Sequence, residues 1–159
     1  MTDNKREITL RFLAPVVDIN ILGKVHGGAV MKWMDEAAYA VAAAWSGHHC
    51  VTVYEGGSHF RKLIPLPSMV EVYARLIYTG NTSMHVAVNV RSRDPRKDDF
   101  TETTSCIMVY VALDDDGNPM TAPAWKPETE RDKALAEYAA KLVDMRKDIE
   151  EERRKILSE

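Results

Sequence analysis

The stretch that decides the fold runs His26-Gly27-Gly28-Ala29-Val30-Met31-Lys32-Trp33-Met34-Asp35-Glu36-Ala37-Ala38-Tyr39-Ala40-Val41-Ala42-Ala43-Ala44-Trp45-Ser46-Gly47. Residues 29–46 are dense in good helix formers, among them Met31, Lys32, Met34, Glu36 and a run of alanines, so a helix is expected there. Val30, Met34, Ala37, Ala38, Val41 and Trp45 recur at helical spacing, and most of the opposite face is small and apolar as well. A helix that is apolar nearly all round belongs in the middle of something. Gly47 supplies its C-cap signal.

The segments on either side read as strands. Residues 7–13 alternate polar and apolar, Pro15 ends them, and a loop with Asp18, Asn20 and Gly23 leads into the two glycines. Four β-type segments follow the helix, at residues 50–60, 69–78, 84–93 and 101–113. Gly56-Gly57 in the first suggests a bulge or a close backbone approach. In the third, Met84, Val86, Val88 and Val90 face one way and Arg91 and Arg93 the other. Polar turns at 94–99 and 114–119 punctuate the last two. Short loops imply antiparallel neighbours. One antiparallel sheet wrapped around one helix, an α+β domain, is the economical arrangement.

The chain divides into a domain at residues 1–127 and a charged helix at 128–159. In the latter, Leu135, Tyr138, Leu142, Met145, Ile149 and Ile156 fall at heptad spacing. That seam suits either a helix lying on its own domain or one that contributes to oligomer contacts. Glu152 interrupts it, which argues against a long coiled coil.

Composition removes several classes of function. The 159 residues are 45% hydrophobic and 28% charged, enough for one ordinary domain with its own core. A net charge of -3 does not fit a general nucleic-acid binder. No apolar run approaches the roughly 18 residues of a membrane span, and the polar start Met1-Thr2-Asp3-Asn4 has no signal-peptide core. Cys50 and Cys106 stand far apart with no CxxC pattern, which argues against a zinc site and fits a reducing cytoplasm.

Few familiar catalytic patterns are present. There is no GxSxG, no GxxxxGK[ST] and no GxGxxG. His48-His49 is an isolated pair in a loop, and Cys106 reads as a buried structural thiol. The glycine end of the helix is more informative. First-turn backbone N–H groups lack helical partners and sit at the positive end of the helix dipole. Glycine lets a ligand approach them closely, which suits a carbonyl oxygen that becomes an oxyanion. Asp35 lies two turns further, on the face of Gly28. A carboxylate on such an apolar helix is costly unless it has a task or a partner. Glu36 points about 100° away and reads as solvated.

The run VHGGAVMKWMDEA at residues 25–37 resembles the acyl-CoA thioesterases of the hotdog fold, in the hydrolase group that includes YciA-like and brain-type cytosolic enzymes. Further matches, in the right order, are Asp18-x-Asn20 with Gly23, Val51-Thr52-Val53, Tyr78-Thr79-Gly80-Asn81-Thr82-Ser83-Met84, and Cys106-Ile107-Met108-Val109-Tyr110-Val111-Ala112 with its acidic turn. The likeness spans about residues 8–128.

The resemblance implies hydrolysis of fatty acyl-CoA to a free acid and CoA, at a dimer interface, with dimers assembling into a homohexamer. It implies Asp35 as the catalytic carboxylate, as base or as nucleophile, and Asn20 as the catalytic asparagine. The amides of Gly27 and Gly28 would hold the oxyanion, and His26 would shape their turn. Asn20 and the glycines would come from one chain and Asp35 from its partner. CoA would meet Arg61, Lys62, Asn81, Thr82 and Ser83, with Arg75, Arg91 and Arg93 as further basic supply. No metal or cofactor is implied beyond the CoA of the substrate. Glu55-Gly56-Gly57-Ser58-His59 departs from many relatives and would bear on acyl range. The rival readings are a CoA-binding module without turnover, which would lack the carboxylate, and a hotdog enzyme for another acyl-CoA or a hydratase.

Overall fold

The computed structural model describes residues 5–158. Strand β1 (Glu7–Leu13) is followed by a short 3-10 turn (Val16–Asp18) and helix α1 (Gly27–Ser46). Strands β2 (Cys50–Phe60), β3 (Met69–Thr79), β4 (Ser83–Arg93) and β5 (Thr101–Ala112) come next, and helix α2 (Glu130–Leu157) closes the chain. The expected α+β order is borne out. The helix starts two residues earlier than its propensities suggest, because Gly27 and Gly28 form its first turn. Gly47 ends it in the left-handed conformation, φ 74°, and its N–H donates to the Ala43 carbonyl.

The five strands form one antiparallel sheet in the order β1-β3-β4-β5-β2. The path from β1 to β2 passes through α1, so the helix lies in the concave face of the sheet. Val30, Trp33, Met34, Ala37, Ala38, Val41 and Ala42 are its buried residues. They meet three inward rows: Val70, Val72, Ala74 and Leu76 of β3; Met84, Val86, Val88 and Val90 of β4; Cys106, Met108, Tyr110 and Ala112 of β5. Met34 is fully buried, a stabilisation of roughly 2 kcal/mol from its apolar surface alone. The alanines let the sheet close on the helix backbone.

The outer face of the sheet is covered by the first half of α2. Ile77 faces outward by alternation with inward Leu76 and packs with Ile107 and Ala139, flanked by Leu135 and Leu142. The register shift between Leu76 and Tyr78 puts Tyr78 on that face as well, opposite His85. Asp132 pins the start of α2: it accepts from Arg6 (2.5 Å) and Arg75 (2.9 Å) and completes a capping box with Thr129. The hydrogen bond from Arg6, opposed by burial and joined by the Thr129 amide, holds the Asp132 carboxyl well below the usual range. Further along, Arg146 lies over the ring of Tyr54, 4.8 Å from its centre. Under this part of the helix His85 is buried, and its pKa falls to about 4 through burial and, less, the nearby Arg146 charge.

The heptad seam thus divides. Leu135 and Leu142 pack inward with Ala139, while Tyr138, Met145, Ile149 and Ile156 are exposed. Tyr138 falls at the expected step, but 3.6-residue geometry turns Ala139 to the sheet instead. No helix among the described residues is long and apolar enough to cross a membrane.

Candidate active site

The N-terminus of α1 begins with His26 as the N-cap. Its backbone N–H donates to the Asp18 carbonyl (2.8 Å) and its carbonyl accepts from Val30 (3.1 Å). Among the described residues no side chain caps the first turn, so the Gly27 and Gly28 amides keep their hydrogens available at the positive end of the dipole. His26 itself is exposed. A side chain at Gly27 would stand 3.5 Å from the Phe60 ring, so β2 closes against the helix start here.

Asn20 reaches the same place from the loop before α1. Its Oδ1 accepts from the backbone amides of Leu22 (2.9 Å) and Lys24 (3.2 Å). The oxygen is committed to the turn, and the side-chain NH2 is the end left to donate. Asn20, Gly27, Val30, Phe60, Arg61, Lys62 and Thr104 line one cavity of about 300 Å³. Amide donors, an asparagine and two cations therefore converge on one space. Arg61 also pairs with Glu102 and donates to Ser105 Oγ, each at 2.9 Å.

Asp35 stands elsewhere. It is half-buried, two turns further along α1, at an axial distance of about 12 Å from Gly27. Its Oδ1 accepts from the Thr52 hydroxyl of β2 (2.7 Å) and the Tyr110 hydroxyl of β5 (2.6 Å). Glu36, its neighbour, is exposed beside Lys32. The polar partners that an apolar helix demands of its carboxylate are thus two hydroxyls on the sheet. Neither was assigned a task from the sequence. Both sat within matched motifs, Tyr110 on an alternating strand, and only the curl of the sheet brings them to Asp35.

The remaining basic and polar candidates scatter. Asn81, Thr82 and Ser83 lie in or beside the β3–β4 turn, where the Asn81 carbonyl accepts from Ala122 and Ser83 Oγ meets His85 Nε2. Ser83 pairs with Val111 of β5, whereas Phe60 pairs with Thr104, so turn and cavity lie about 20 Å apart along the strand. Arg75 serves Asp132. Arg91 pairs with buried Glu71 at 2.5 Å and lies over Phe100. Arg93 donates to the carbonyls of Asp94, Pro95 and Lys97. One chain does not bring these groups to the α1 N-terminus.

Between the two centres, Gly56-Gly57 bulges β2, with Gly57 at φ 68°. Ser58 bridges Glu55 and Met31, close to Cys106. Burial, with the Glu55 charge adding, pushes the Cys106 thiol up to about 12, which disfavours the thiolate.

The sequence profile of the thioesterase superfamily matches residues 22–98. An uncharacterized acyl-CoA thioester hydrolase of Buchnera aphidicola is 35% identical over 120 residues, covering 74% of this chain and 89% of that protein. An apo-hexameric acyl-CoA thioesterase superposes with a TM-score of 0.85 at 30% identity, covering 89% of this chain and 91% of that one. The acyl-CoA hydrolase of Staphylococcus aureus, solved with butyryl-CoA and CoA, superposes at 0.86 with 26% identity over 96% of this chain and 93% of that one. Alanine variants of that protein have been solved at an asparagine, an aspartate and a threonine. Their successive spacings of 15 and 17 residues are those of Asn20, Asp35 and Thr52 here.

Proposed function

The chain belongs to the thioesterase superfamily as an acyl-CoA thioester hydrolase, and from that premise we propose that its active site is assembled from two copies of the chain. The observation that carries this is the axial separation of about 12 Å between Gly27 and Asp35 on one rigid helix. A single thioester carbonyl cannot meet both from one chain.

In this reading the thioester carbonyl enters the cavity at the α1 N-terminus. The Gly27 and Gly28 amides polarise it and hold the oxyanion. Asp35 of the second copy takes a proton from the attacking water as general base. The side-chain NH2 of Asn20 orients the water or the carboxylate, and His26 shapes the turn through its backbone. The tetrahedral intermediate collapses to the acid and the CoA thiolate. A thiol of pKa roughly 8.5 leaves without a strong general acid, so no histidine relay is needed. Arg61 and Lys62 supply positive charge beside the cavity, and Asn81, Thr82 and Ser83 would serve CoA from another copy. The chemistry asks for no cofactor beyond the substrate's own CoA.

The unpaired edge of β2 is the proposed dimer seam, supported by its exposed Val51 and Val53. Pairing there would continue the sheet, and three such dimers would make a hexamer, the state of the solved thioesterase described above. The two buried, free cysteines support a reducing cytoplasm as the working compartment.

A free-thiol assay across acyl-CoA chain lengths, on wild type and Asp35→Asn, tests the reading. Hydrolysis by the wild type that collapses in an equally oligomeric variant is expected. CoA binding with no hydrolysis of any acyl-CoA would overturn it in favour of a binding module.

A further inference from the structure

The inward row of β5 reads Cys106, Met108, Tyr110, Ala112, and the facing rows of β3 and β4 are wholly aliphatic or sulfur-containing. A phenylalanine would fill the Tyr110 site equally well by volume. The hydroxyl is the anomaly: a polar group in a fully buried side chain, which is costly unless it is hydrogen-bonded. It donates to Asp35 Oδ1 at 2.6 Å and lies 3.0 Å from the Asp35 carbonyl. The ring is fixed by the strand, which is paired on both sides, and by an edge contact with Tyr39 at 6.4 Å. Thr52 donates to the same Oδ1 from exposed strand β2, at 2.7 Å. Among the described residues nothing donates to Oδ2. Burial, and next the bond to Asp35, push the Tyr110 phenol above its usual range, so it remains a donor at every working pH.

We propose that Tyr110 is a positioning residue of the thioesterase reaction: by anchoring Oδ1 of Asp35 it fixes the carboxylate rotamer so that Oδ2 alone is presented to the water. This rests on the thioesterase reading and adds to it a specific, fully buried anchor on the same chain as the base. The two anchors differ in kind. Thr52 sits on an exposed edge strand, whereas Tyr110 belongs to the core, so the position of the base is tied to the packing of the sheet itself.

The test is Tyr110→Phe, which deletes one oxygen and keeps the ring, with Tyr110→Met as a second replacement lacking the hydroxyl. Misplacement of a reacting group by about 1 Å costs on the order of 100-fold, so kcat should fall by about that factor in both variants while KM stays within about twofold. A residue acting through Asp35 has nothing to position once the base is gone. Tyr110→Phe added to Asp35→Asn should therefore change the residual rate by less than about twofold, whereas a general packing defect would lower it in both backgrounds. Wild-type kcat in either variant, a loss carried by KM, or an equal loss in the Asp35→Asn background would overturn the proposal. Absence of thiol release by the wild type is a different result and sinks the thioesterase reading itself.

Discussion

Gly27 and Asp35 share one helix and are held about 12 Å apart by its rise, the glycine opening onto a cavity with Asn20 and the aspartate turned to Thr52 and Tyr110. The helix is rigid and packed along most of its length, so no local motion brings the two together. In the proposed mechanism, one carbonyl would meet both through a second chain.

Subunit complementation follows from that separation. Asn20→Ala and Asp35→Asn should each be nearly inactive alone. When the two are co-expressed, half the dimers should be mixed and each mixed dimer should hold one intact site, restoring about a quarter of wild-type activity. No restoration, with mixed dimers shown by mass, would place the site within one chain.

Asn20→Asp separates the two ends of the asparagine side chain. The carboxylate still accepts from Leu22 and Lys24, so the turn should hold and the melting temperature should stay within a few degrees. The lost NH2 should lower kcat at least about tenfold if it donates during the reaction. Unchanged turnover would make Asn20 a turn residue only.

Asp132→Asn should release the start of α2. Removing the negative partner of two largely buried guanidiniums should cost about 3 kcal/mol in a chemical denaturation. The depressed carboxyl also sets a pH dependence. Its stabilisation is complete above the unfolded value of about 4 and is lost as pH falls toward the folded value. The gap between wild type and variant should therefore narrow below about pH 4 and stay constant between pH 5 and 8.

Gly56→Ala reaches α2 from the other end. A Cβ there would stand 2.4 Å from the Tyr54 ring and must displace it from beneath Arg146. The loss should be about 1 kcal/mol, the scale of a cation–π contact. Hydrogen exchange should rise in the later turns of α2 while the sheet stays protected. Uniform protection would mean that Tyr54 does not hold the helix.

The central helix was legible in residues 26–47 because an element apolar on nearly every side has only one place to go. The alternating strands were legible for the same reason, since a half-buried strand must repeat every second residue. The glycine end and Asp35 stood out because a helix start has open donors and a carboxylate among alanines needs partners. The partners were not legible. Thr52 lies 17 residues and Tyr110 75 residues from Asp35, and no local pattern encodes such a contact. The α2 seam was half legible: its heptad spacing was visible, but which part meets the sheet depended on where the assembled sheet places the outward Ile77 and Ile107.

The sequence by itself determined the elements, the helix at the centre and the open amide donors at its N-terminus, because these follow from local propensity and periodicity. Only the tertiary structure decided that Asp35 is held from the sheet by two hydroxyls, that Asn20 spends its oxygen on a turn, and that Asn81, Thr82 and Ser83 lie far from Arg61 and Lys62. Those relations are set by strand order and register, which sum interactions over the whole chain and leave no mark in any one segment.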